Sequence, residues 1–208
     1  MGALVDDDGV DDGVVSQSRP SPSTATGGDM RRRTALWWLL GVAVCVIALD
    51  VATKALAVAH LDPMKPVEIF GDVVTLRLVR NSGAAFSMAS GYTWVLTVVA
   101  LVVVVGIVRY SSRLRSAWWI LGLGLVLGGA LGNLADRIFR SPGPLRGHVV
   151  DFVSVGWWPV FNVADSAVVC GAVLLVVLSL LGFEYDGSRS GWAARHATET
   201  ADGKDGDA

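Results

Sequence analysis

The sequence predicts an all-α membrane protein of four transmembrane helices, with a small strand-rich segment between the first and second. Three observations carry this. The chain of 208 residues is 52% hydrophobic and 17% charged, whereas about a quarter of the residues in an ordinary soluble domain are charged. The charges are also segregated: of 19 acidic residues, six precede Arg31 and six follow Phe183, leaving seven in residues 34–183. That middle region holds four apolar stretches, each long enough for the roughly 17–25 residues that cross a bilayer core.

The organisation follows in chain order. Residues 1–33 read as a disordered acidic cytoplasmic tail, because residues 1–29 are rich in Asp, Gly, Ser, Pro and Thr and lack hydrophobic periodicity. The membrane domain is 34–183, with spans at about 35–59, 92–108, 117–135 and 160–181, and 184–208 is a polar cytoplasmic tail. Arg31 to Arg33 before an apolar run would also suit a cleavable signal peptide. Helical patterning continues past Asp50 and three further spans follow, which favours a span.

Residues 61–91 include β-branched Val73 to Arg80 behind the Gly71-Asp72 turn, a pattern of extended strands lying on the membrane surface. Lys and Arg near the span ends number eight in the segments assigned inside, against five outside, so both termini are expected in the cytoplasm. The pairs Trp37-Trp38, Trp118-Trp119 and Trp157-Trp158 stand where interfacial belts are expected. In the third span, Gly124, Gly128 and Gly132 form a small-residue ridge for close helix approach. Cys45 and Cys170 are expected to pack between helices, and Val42-Ala43-Val44 lacks the small residue expected before a lipidated Cys. Two cysteines make neither a disulfide framework nor a Cys-based zinc site. The net charge of -2 supplies no basic field for nucleic acid.

Polar residues inside spans need partners or work, since a charge at mid-bilayer costs roughly 2.5–3.5 kcal/mol on the insertion scale. Asp50 and Lys54, one turn apart, suit an ion pair that either shapes the helix end or serves a site. Asn133, Asp136 and Arg137 share one helix face and suit a single hydrogen-bonded patch, structural or catalytic, with Arg137 near the outer interface. Asp165 follows Asn162 by three residues at the start of the fourth span, and Asp151 lies fourteen residues upstream of Asp165. Gly156 and Pro159 between them can reverse the chain and bring the two carboxylates together. Two adjacent carboxylates share a proton, the arrangement of an aspartic protease. The alternative is that each is a cap or an ion-pair partner. His60 and His148 have no metal-ligand spacing, so no metal is expected. A proton-coupled transporter would spread its ionisable residues through the membrane, whereas these collect toward the outer span ends; a non-catalytic scaffold would leave both Asp residues dispensable.

Five motifs stand in order on the four spans: Asp50-x-x-Thr53-Lys54, Asn81-Ser82-Gly83-Ala84-Ala85-Phe86, Gly132-Asn133-Leu134-Ala135-Asp136-Arg137, Val149-Val150-Asp151-Phe152 and Phe161-Asn162-Val163-Ala164-Asp165-Ser166. Together they resemble lipoprotein signal peptidase, or signal peptidase II, of bacterial cytoplasmic membranes, over residues 34–182. The resemblance implies an aspartic endopeptidase that removes signal peptides from prolipoproteins just before a diacylglyceryl-modified Cys. It implies Asp151 and Asp165 as the catalytic dyad, and Asn133, Arg137 and Asn162 as hydrogen-bonding groups around dyad and substrate. Asp136 becomes a structural partner, Asn81 and Gly83 lie in the substrate- and inhibitor-contacting motif, and Asp50 and Lys54 are the first-span pair. It further implies a β-rich extracytoplasmic cradle, an active site on the same face, globomycin sensitivity and no cofactor. The expected partners are lipid-modified prolipoproteins and membrane lipids, with the enzyme a monomer.

Overall fold

The structure is a computed structural model that describes residues 25–83 and 93–191. The predicted tail up to residue 24, motif residues Ala84, Ala85 and Phe86, and the chain from 192 onward lie outside the described residues. Elements follow in the order α1 (Ala25–His60), β1 (Val67–Phe70), β2 (Val74–Asn81), α2 (Thr93–Tyr110), α3 (Ala117–Phe139), β3 (Val149–Val155) and α4 (Val163–Leu180). Four helical stretches are long and apolar enough to cross a membrane: Arg33–His60, Trp94–Arg113, Ala117–Phe139 and Val163–Leu180. The expected four-span protein is what the chain forms. Two ends differ from the expected boundaries. α1 starts at Ala25, inside the predicted tail, because a helix nucleated by the apolar run extends without a new nucleation cost. α3 runs on to Phe139, carrying Asp136 and Arg137 inside a regular helix.

α3 is the central helix. Half (50%) of its most apolar window is buried, against 22%, 11% and 22% for α1, α2 and α4. Glycine makes this possible on two faces. A Cβ on Gly128 would come within 2.7 Å of Val46 Cβ on α1, and one on Gly124 within 2.8 Å of Val42 Cβ. On the other face a Cβ at Gly129 would strike the Ala164 carbonyl of α4, and one at Gly171 of α4 would lie 2.6 Å from the Gly122 carbonyl. The predicted glycine ridge therefore packs α3 on α1, and a second set seats α4.

A cluster of Ala35, Leu39 and Ala43 of α1 with Ile107, Leu114, Ile120 and Leu127 fills one end of the bundle. The outward faces remain apolar, as at Val44, Val51, Val102 and Val173, as lipid requires. Cys45 and Cys170 belong to that exposed surface, not to the helix interfaces expected of them.

The strands expected in residues 61–91 form as β1 and β2, antiparallel. A third strand comes from elsewhere: β3, in the α3–α4 connection, pairs antiparallel with β2 to give the order β1-β2-β3. Gly156 then turns the chain at φ +50, and Phe161 closes the reversal by exchanging backbone hydrogen bonds with Val153, each 2.9 Å. This carries the chain from the end of β3 back beside its middle, to the start of α4.

The polar segment after α4, described up to residue 191, docks against the start of α3. The Tyr185 carbonyl accepts from the backbone N–H groups of Arg115 and Ser116 at 2.9 and 3.1 Å, just ahead of α3. The Tyr185 ring lies 4.9 Å from Tyr110 and 6.2 Å from Trp119, while the Trp119 indole donates to the Phe183 carbonyl at 2.8 Å. One aromatic residue, Tyr185, with its own carbonyl and that of Phe183, docks this polar stretch.

Candidate active site

The reversal between β3 and α4 brings Asp151 and Asp165 to one residue, Asn162. Register and capping set each group. Asp151 stands opposite Val79 of β2, which puts Asn81, two residues on, at the diagonal position on the same face. The Asn81 amide donates to Asp151 Oδ2 at 2.9 Å. Its orientation is fixed from behind, because Asn81 Oδ1 accepts from the Gly83 N–H at 2.8 Å. Gly83 holds φ +92, so its service to the site lies in this turn, where only glycine is unstrained.

Asn162 is the N-cap of α4. Its Oδ1 accepts from the Asp165 N–H at 2.9 Å, and Asp165 Oδ2 accepts from the Asn162 N–H at 3.1 Å, a reciprocal capping box. The free end of the Asn162 amide donates to Asp151 Oδ1 at 2.6 Å. The second oxygen of Asp165, Oδ1, accepts from Asn133 at 2.7 Å. Asp165 is thus a capping residue and a neighbour of Asp151 at once; the two sequence readings of it are compatible.

Asp151 is 1% exposed. Burial pushes its carboxyl up to about 6, opposed by the Asn81 hydrogen bond and helped by the nearby charge of Asp165. Such a carboxyl keeps its proton into a range where an ordinary Asp has lost it.

Around the two carboxylates lies a buried ionic frame. Lys54, 1% exposed, sits 2.7 Å from Asp50 Oδ2 and 2.9 Å from Asp136 Oδ2. The first of these contacts is an ion pair without hydrogen-bond alignment, as Asp50 Oδ2 has no hydrogen-bond partner. Asp50 Oδ1 accepts from the Ala164 N–H at 3.0 Å, tying α1 to α4, and Asp136 Oδ2 accepts from the Val150 N–H at 3.2 Å, tying α3 to β3. Arg140, one turn beyond Asp136, pairs with its other oxygen. Gly132 leaves the room needed, since a Cβ there would lie 2.7 Å from Asp50 Oδ2.

Two members of the expected patch of Asn133, Asp136 and Arg137 are joined through Lys54, which reaches Asn133 Oδ1 at 3.1 Å and Asp136 Oδ2 at 2.9 Å. Asn133 turns its NH₂ to Asp165, Asp136 faces Lys54 and Arg140, and Arg137, in the last turn of α3, is 8% exposed and lines the groove between α2, α3 and α4. A span of about 100° on one helix is wide enough to face three different neighbours. Arg137 Nη1 has no hydrogen-bond partner among the described residues. In the sequence Arg140 counts only among the five outside charges, although its i+4 spacing from Asp136 signals the pair. Among the described residues no cluster of His, Cys, Asp and Glu has the form of a metal site.

Each of the two carboxylates lines a cavity. One, about 220 Å³, is lined by Asn81, Ser82, Asp151 and Pro159 beside the sheet. The other, about 340 Å³, is an apolar groove between α2, α3 and α4, where Asn133, Arg137 and Asp165 are the polar members. The arrangement holds two carboxylates on one asparagine and sets each beside a cavity, that of Asp165 being largely apolar.

Comparison with known proteins shows the family and the fold. The sequence model of Signal peptidase (SPase) II matches residues 42–181. The chain is 61% identical over 181 residues to the lipoprotein signal peptidase of Rhodococcus jostii (strain RHA1), covering 87% of each chain. It is 65% identical over 167 residues to that of Mycobacterium avium (strain 104), covering 80% of this chain and 91% of the relative. A solved bacterial membrane enzyme, determined by the in meso method at 1.9 Å resolution, superposes with a TM-score of 0.60 at 26% identity, covering 68% of this chain and 92% of the other. The matched residues take in α1 from Val42, the other three helices, the sheet and both carboxylates, and the chain belongs to the signal peptidase II family of multi-pass membrane peptidases.

Proposed function

We propose that the protein is an aspartic endopeptidase that removes signal peptides from diacylglyceryl-modified prolipoproteins, cutting immediately before the lipidated Cys. The observation that carries the aspartic mechanism is the joint hold of Asn162 on Asp151 and Asp165. A water between the carboxylates gives a proton to the ionised one as its oxygen adds to the scissile carbonyl carbon. The protonated carboxyl donates to the carbonyl oxygen, and a tetrahedral diol results. Collapse of the diol breaks the C–N bond, and the leaving nitrogen takes a proton from the pair. The two groups act as one titrating unit.

Arg137, with Nη1 unpartnered in the apolar groove, is a donor for a substrate backbone carbonyl. The apolar groove accepts hydrocarbon from the bilayer, and the cavity beside Asn81 takes the polar continuation of the chain. Membrane lipids surround a monomer, the active site faces the extracytoplasmic side, and both termini are cytoplasmic. Globomycin inhibits the enzyme by occupying the same region.

The test is processing of a diacylglyceryl-modified prolipoprotein by full-length protein, followed by mass. Asp151→Asn and Asp165→Asn should each leave the signal peptide attached. Normal processing by both variants sinks the mechanism, and equal processing of unlipidated precursor sinks the substrate assignment.

A further inference from the structure

The hydrogen bonds behind Asn133 assign work to a residue that touches neither carboxylate of the dyad. Lys54 Nζ donates to Asn133 Oδ1 at 3.1 Å, and the Asn162 amide donates to the same oxygen at 3.2 Å. An ammonium group has donors and no acceptor. The carboxamide of Asn133 must therefore turn its oxygen toward Lys54 and its NH₂ toward Asp165, where it donates at 2.7 Å. Reversed, the amide would set its oxygen against Asp165 Oδ1, a contact that requires a proton on that carboxyl.

The geometry points to Lys54 as a positioning residue for hydrolysis: from α1 it locks the Asn133 amide in the one orientation that supports Asp165 as a carboxylate. This rests on the dyad reading above. Lys54 is well placed to hold one orientation, being 1% exposed and fixed between Asp50 and Asp136. Its charge also acts on the pair directly, favouring the ionised form of Asp151. The charged groups around it are Asp50 on α1, Asp136, Arg137 and Arg140 on α3, Asp151 on β3 and Asp165 on α4.

A double-mutant cycle on the full chain, with the lipid-modified prolipoprotein as substrate, tests this. Lys54→Met should lower kcat on the order of tenfold to a hundredfold, the range for losing a hydrogen bond to a charged group, with little change in KM. Asn133→Ala should cost a similar factor, and the double variant should be no slower than the slower single variant, because one residue acts through the other. Lys54→Met should also move the pH profile of kcat/KM to higher pH, since a cation that favoured ionisation is gone; a merely structural residue would not move it. Should Lys54→Met fail to fold, Asp50→Asn/Lys54→Met removes the ion pair as a unit, leaves Asp136 to Arg140, and serves in the same cycle. Multiplying effects with an unmoved pH profile, in an enzyme that Asp151→Asn and Asp165→Asn inactivate, overturn the Lys54 role alone. Active Asp151→Asn and Asp165→Asn enzymes overturn the dyad, and the positioning role with it.

Discussion

The two ends of the helix bundle are built on opposite principles. At one end, Leu39, Ile107, Leu114, Ile120 and Leu127 close an apolar cluster, and Tyr185 docks on Tyr110 and Trp119. At the other, Asp50, Lys54, Asp136 and Asp151 are buried together with Asn162. The first end gains free energy from packing. The second places charges where desolvation opposes them, and holds them by giving nearly every oxygen a donor. Stability and chemistry are thereby kept apart along the same four helices. The polar end is held by groups that restrain one another, and the packed end supplies the surplus that lets them be there.

Substitutions at each end sharpen this contrast. The largest effect is expected from Asp151→Asn or Asp165→Asn: a loss of kcat on the order of a thousandfold or more, with the thermal unfolding midpoint in detergent nearly unchanged. A collapse in stability would mean that the ionic end holds the fold. At the packed end, Leu127→Ala should cost about 2–5 kcal/mol by leaving a cavity, read by denaturant unfolding, while turnover per folded molecule stays the same. Tyr185→Ala should cost on the order of 1–3 kcal/mol, again without a change in kcat; reduced turnover in that variant would join the two ends functionally.

The smallest effect is a displacement in pH. Asp151 loses its proton at about 6, so kcat/KM should fall as pH rises through that value and the pair gives up the proton it must share. The Asn81 hydrogen bond favours the ionised form of Asp151. Asn81→Ala therefore raises the titration and should carry the alkaline limb upward by about one unit or less, with roughly tenfold lower kcat. A limb that moves downward contradicts the assigned direction of that bond.

Much of this was legible in the residues, and the boundary of legibility has a physical cause. Spans declare themselves by length and composition. The Asp50–Lys54 pair and the Asn162–Asp165 cap declare themselves by spacing, since helix geometry converts four or three residues into one face. The closeness of Asp151 and Asp165 was signalled only by the intervening Gly156 and Pro159. The pairing of β3 with β2 was not readable, because its register joins residues about seventy apart, such as Val79 and Asp151, and no local pattern encodes that choice. Lys54 and Asp136 meet across two helices for which spacing within one helix is silent. Cys45 and Cys170 were misplaced for a related reason. A spanning helix is apolar all round, so hydrophobicity does not tell its lipid face from its packed face.

Asn162 has a consequence for how the protein comes into being. One side chain both starts the last helix and bridges the two carboxylates. Until α4 has formed and docked, Asp165 has neither its cap nor its neighbour. On the proposed two-carboxylate mechanism, peptidase activity is consequently a property of the chain with its last helix docked, and a molecule still short of that helix is inert toward whatever lies beside it in the bilayer.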